Sequence, residues 1–95
     1  MSEYTPEKFL AWARTQDPDS RTHYSHSEHC PLARYARFLK DGRDWGTITM
    51  EDRMADAIDL ELSEEPRLYR HVVERFERIV KTGKWQSWMN RGKSI

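Results

Sequence analysis

Between Leu68 and Val80 seven apolar side chains (Leu68, Tyr69, Val72, Val73, Phe76, Ile79 and Val80) recur at i, i+1, i+4, i+5, i+8, i+11 and i+12. At about 100° of rotation per residue they span an arc of about 140°, so the stretch reads as a helix with one broad apolar face. A face that wide has to be covered, and the covering segments must share its period. A chain of 95 residues leaves room for one core, which excludes an active site between two lobes. No run alternates with period two for long enough to build a sheet. The expected fold is a compact all-α bundle of four helices.

The partners of that helix can be placed from local signals. Thr5-Pro6-Glu7 offers an N-cap hydroxyl, a proline at the first helical position and an acid in the first turn. With Phe9, Leu10, Trp12 and Ala13 following at helical spacing, this predicts a helix over about 6–15. Cys30-Pro31 opens a second, over about 31–40, with Leu32, Tyr35, Ala36 and Leu39 on one stripe and Asp41-Gly42 as its stop. Phe38 falls outside that stripe and is expected to cover the preceding loop or the segment 43–48, where Trp45 and Ile48 offer anchors. Thr49-Met50-Glu51-Asp52 resembles a capping box with Asp in place of Glu, and predicts a third helix over about 50–61 carrying Met50, Met54, Ala57 and Ile58. Ser63-Glu64-Glu65-Pro66 starts the fourth, over about 66–82, and Thr82-Gly83 ends it. Trp85, Trp88 and Met89 repeat the i, i+3, i+4 spacing in a short C-terminal helical turn that folds back on the bundle. The expected organisation is a single domain over 1–90 and a disordered tail over 91–95.

With 37% apolar and 34% charged residues the chain sits near the boundary of disorder, but four Trp, four Tyr and three Phe supply a core built from few, large pieces. The longest apolar run, Phe9 to Ala13, is about five residues, against the roughly 20 a membrane span requires. The N-terminal stretch lacks the apolar block of a secretory signal, and the single Cys30 leaves no intrachain disulfide. These features predict a cytoplasmic protein.

Three constellations carry chemistry. His23, His26, His29 and Cys30 place three imidazoles and a thiol within eight residues of a long polar loop, and these are zinc ligand types. No second ligand pair follows, so the expectation is a solvated loop with no cofactor, and a zinc or redox site is the alternative. Cys30 also stands just before a helix, where the positive end of the dipole favours a thiolate. No oxyanion-hole or substrate signature accompanies it, so the expectation is a small buried residue at the cap, the reactive thiolate is the alternative, and no catalytic residue is assigned. His71, at the edge of the apolar stripe, is expected to be partly buried.

Charge is the second constellation. The 16 basic and 16 acidic residues cancel, but unevenly: residues 49–66 carry −6 and residues 67–95 carry +6. Asp52, Asp56 and Asp59 fall on the side of the third helix opposite Met54 and Ile58. Arg67, Arg70 and Arg78 lie opposite the apolar stripe of the fourth, with Glu74 and Glu77 expected to pair with Arg78 and Lys81 at i,i+4. A neutral chain is far from the usual balance of a DNA-binding protein, so nucleic-acid binding through the fourth helix is an alternative reading.

Surplus aromatics are the third. Phe38, Trp45, Trp85 and Trp88 exceed the needs of the stripes, and Trp, Tyr and Arg dominate interface energetics. The leading expectation is a non-enzymatic protein-binding module, monomeric or weakly dimeric and with no membrane contact. Its candidate contact residues are Asp52, Asp56, Asp59, Arg67, Arg70, Arg78, Trp85 and Trp88.

The segment from Phe9-Leu10-x-Trp12 through Asp17-Pro18, a tyrosine-containing polar loop, Cys30-x-Leu32-Ala33-x-Tyr35 and Lys40-Asp41-Gly42 resembles small uncharacterised proteins of phages and mobile elements. That resemblance covers about a third of the chain, through a loose motif. It implies a phage or mobile-element origin and the stoichiometric inhibitor role common among such proteins, anti-CRISPR proteins included. It implies no site residues.

Overall fold

The computed structural model describes residues 3–23, 30–63 and 67–83. Among these residues five helices make up the all-α bundle: α1 (Pro6–Ala13), α2 (Pro31–Phe38), α3 (Trp45–Glu51), α4 (Arg53–Leu62) and α5 (Tyr69–Thr82). α1 packs along α5, and α2 sits against α3 and α4. The expected C-terminal turn with Trp85, Trp88 and Met89, and the tail beyond it, lie outside the described residues.

α1 starts as its sequence dictates: the Thr5 hydroxyl accepts from the Lys8 N–H at 3.2 Å, with Pro6 in the first turn. The predicted third helix is instead two. Asp44 caps α3 by accepting from the Thr47 N–H at 2.7 Å, and Asp52 caps α4 by accepting from the N–H groups of Met54 and Ala55 at 2.9 and 3.1 Å. Asp52 takes extended dihedrals (φ −120°, ψ 112°) that break the helix at the residue expected to support its cap. Carboxylates are stronger N-caps than a threonine hydroxyl, and the Thr49 hydroxyl turns back to donate to the Gly46 carbonyl at 3.1 Å. One consequence is that Met50, expected on the core stripe, is 86% exposed.

α5 also begins later than expected, at Tyr69, with Leu68 extended and no side-chain cap. Residues 18–22 supply what a cap would. Ser20 and Pro18 carbonyls accept from the Tyr69 and Arg70 N–H groups, each at 3.0 Å, and the Thr22 N–H donates to the Arg67 carbonyl at 2.9 Å. The described part of the polar loop is therefore the start signal of the longest helix. Four orphan N–H groups at a helix start need acceptors, and here the tertiary fold brings two of them from more than 45 residues away in the chain.

α2 ends in a full Schellman motif: the Lys40 N–H donates to the Arg37 carbonyl and the Asp41 N–H to the Ala36 carbonyl, both at 3.0 Å. The left-handed residue is Lys40 (φ 58°), not the expected Gly42. At the end of α5 the expectation holds, with Gly83 left-handed at φ 69°.

The core joins all five helices through Phe9, Leu32, Tyr35, Ile48, Ile58, Leu62, Tyr69, Val72 and Phe76. Its aromatic members form one connected network. Phe9 lies 4.8 Å from Phe76 and 5.4 Å from Tyr35, while Trp12 lies 5.3 Å from Tyr35 and 5.9 Å from Tyr69, all between ring centroids.

Candidate docking surface

One aromatic ring of that network reaches the surface. Phe38, the last residue of α2, is 63% exposed. Its ring lies 6.2 Å from that of Tyr35 with the planes 15° apart, and 6.3 Å from that of Trp12. It is expected to cover the loop or the segment 43–48, but it rests on α1 and on its own helix. Covering the open part of the ring with a partner's apolar surface is worth about 1–2 kcal/mol.

The base under Phe38 is fixed on several sides. Tyr35 is buried and donates its hydroxyl to the Glu3 carbonyl at 2.7 Å. Tyr4 meets Tyr35 edge-on at 5.7 Å and donates its own hydroxyl to Asp41 Oδ2 at 2.6 Å. Arg43 grips the same carboxylate with Nε at 3.0 Å and Nη2 at 2.8 Å, and reaches Glu51 with Nη1 at 2.8 Å. Arg43 and then Tyr4 hold the Asp41 carboxyl well below the usual carboxylate range. Burial, then the Asp41 hydrogen bond, push the Tyr4 phenol up. A ring seated on so fixed a base loses little further freedom on contact, which lowers the entropic cost of binding.

Cations share this side of α2 with the ring. Helical rotation sets Arg34, Arg37 and Phe38 within about 100° of one another, and Lys40 follows in the turn. The Arg34 guanidinium lies 5.5 Å over the centroid of the Tyr69 ring, which itself abuts Trp12. Tyr69 is fully buried, and burial pushes its phenol up against the opposing pull of the Arg34 guanidinium. No acid falls between Pro31 and Lys40. The sequence signal for this surface was the pairing of Phe38, off the apolar stripe, with arginines one and four residues before it.

The residues expected from the sequence to form the contact surface are dispersed. Asp56 is exposed, but Asp52 is occupied as the cap of α4. Asp59 is only 5% exposed and accepts from Trp45 Nε1 at 2.9 Å, so the expected acidic face of three does not form. The physical reason is the extra helix: α3 covers a flank of α4 that a four-helix arrangement leaves to solvent, and Trp45 seals it. On α5, Arg67, Arg70 and Arg78 are exposed as expected, with Arg70 in an ion pair with Asp19. Glu77 pairs with Arg14, the C-cap of α1, at 3.0 Å rather than with Lys81. Trp85 and Trp88 lie outside the described residues.

In the histidine-rich loop, His23 is exposed, while His26 and His29 lie outside the described residues. Cys30 is 1% exposed, and burial pushes its thiol up although the Ala33 and Leu32 N–H groups pull the other way. Desolvation outweighs the helix terminus, so Cys30 is the small buried residue expected at the cap and not an activated thiolate. His71, expected to be partly buried, is exposed. Among the described residues no three His, Cys, Asp or Glu side chains are grouped to hold a metal ion, and no helix is long and apolar enough to cross a membrane.

Two open clefts flank the Arg14–Glu77 pair along the α1–α5 seam. One, of about 290 Å³, lies between Ala13, Pro18, Arg70 and Val73; the other, of about 410 Å³, lies between Glu7, Leu10, Val80 and Lys81. Compared with protein-family models, curated proteins and solved structures, the chain matches none.

Proposed function

We propose that this chain is a non-enzymatic protein-binding module that docks through the surface centred on Phe38. The observation that carries the reading is an aromatic ring left 63% exposed on a fixed aromatic base. A small domain gains by burying its aromatics, and a large apolar side chain held in the open beside arginines has the composition of an interface anchor. Such a module acts by occupying a surface of its partner. The inhibitor form of this reading, a phage or mobile-element protein that blocks a host defence system or enzyme in the host cytoplasm, is supported by the resemblance over residues 9–42 alone.

The test places the photoreactive amino acid p-benzoylphenylalanine at position 38 and, separately, at the exposed Glu7 on α1, in cells that express the chain. A discrete adduct from position 38 and none from position 7 is the expected result. The same diffuse background from both positions refutes the reading.

A further inference from the structure

Resting on that docking reading, we propose that the partner is an acidic protein surface: an apolar pocket that takes the Phe38 ring, rimmed by carboxylates that face Arg34, Arg37 and Lys40. Three cations lie within the seven residues 34–40 that include Phe38, and the ten residues from Pro31 to Lys40 contain no acid. Lys40 is exposed, and Arg34 is held half-buried over Tyr69. A rim of this sign speeds encounter with an acidic surface and opposes a basic one, while the buried ring supplies the affinity.

A polyanion of another class, single-stranded nucleic acid, fits less well for two reasons. Strand-binding surfaces stack successive bases on several rings along a basic groove. Phe38 is the one exposed Phe, Tyr or Trp ring among the described residues. Moreover α3 and α4, which pack against α2, contain most of the chain's acidic segment, −6 over residues 49–66. A phosphate backbone longer than the patch runs into that field, whereas a compact acidic patch on a protein ends before it.

The test pans a display library of random 12-residue peptides, unbiased in charge, against the folded wild-type chain, Phe38→Ser and the double variant Arg37→Gln/Lys40→Gln. Thermal melts establish that each variant is folded, and fluorescence anisotropy with a 20-nucleotide oligothymidine is run alongside. The expected result is enrichment of Asp/Glu-rich peptides with an apolar anchor. Affinity for them falls about tenfold or more in Phe38→Ser. It also falls several-fold in the double variant and with rising salt. Peptides that depend on Phe38 but show no excess of acid overturn the acidic partner and leave the docking reading standing. Peptides that bind Phe38→Ser as well as wild type, or no enrichment, overturn both. Oligothymidine binding that Phe38→Ser abolishes overturns the protein partner in favour of nucleic acid.

Discussion

Lys40→Gly should stabilise the protein, a result that the position of glycine in the sequence does not suggest. Lys40 sits at φ 58° in the Schellman turn that ends α2, and both hydrogen bonds of the turn are made by backbone groups, so glycine keeps them. Holding a side chain with a Cβ in the left-handed region costs about 1–2 kcal/mol. Glycine removes that cost but returns about 0.5–1 kcal/mol through the freedom it adds to the unfolded chain. The net gain is about 0.5–1 kcal/mol, a rise in Tm of about 2–6 °C for a domain of this size. Lys40→Ala removes the same ammonium while keeping the Cβ, and should change stability by less than about 0.5 kcal/mol. Gly42 is the complementary control: its φ is not positive and a Cβ built there meets nothing within 4 Å, so Gly42→Ala should be neutral or slightly stabilising. Thermal and urea melts of the three variants decide it. A lower Tm for Lys40→Gly, or a loss of about 1 kcal/mol in Gly42→Ala, shows that the left-handed residue is misplaced and refutes the argument.

Asp52→Ala should cost about 1 kcal/mol in a urea melt, because its carboxylate serves two N–H groups at the start of α4, whereas Thr49→Ala should be nearly silent. Equal losses from both would restore a single helix capped at Thr49. The depressed Asp41 carboxyl contributes stability that is fully present above its unfolded value near about pH 4 and is lost as pH falls through its lower folded value. Stability measured from pH 6 downward should therefore fall less steeply in Asp41→Asn than in wild type, and identical slopes would deny Asp41 that role. Cys30, buried with its thiol pushed up, should react with iodoacetamide at pH 8 only as fast as the protein opens, and denaturant should accelerate it sharply. Immediate labelling of the folded chain would contradict its burial.

The candidate docking surface was half legible in the sequence. Phe38 stands off the apolar stripe of its own helix, which marks it as surplus, but its neighbours there are compatible with either cover or exposure. Trp45 carries the same surplus signal and has the opposite fate, half-buried against the core with its indole N–H on Asp59. Periodicity ranks side chains by the face of one helix and is silent on which second helix covers that face. Asp59 shows the same limit from the polar side: rotation placed it opposite Met54 and Ile58, and α3 then buried it.

The sequence by itself determined the all-α class, the apolar faces of α1, α2 and α5 and the end of α5 at Gly83. These follow from spacing and from side chains that act on their own backbone, within a turn or two. Tertiary structure alone decided that Asp52 divides the third helix, that carbonyls of residues 18 and 20 start α5, that Lys40 takes the left-handed turn and that Phe38 stays in the open. Each of those outcomes is a competition between two locally acceptable arrangements that differ by no more than about 2 kcal/mol, too little for local preference to settle. Packing between segments distant in the chain then supplies the difference.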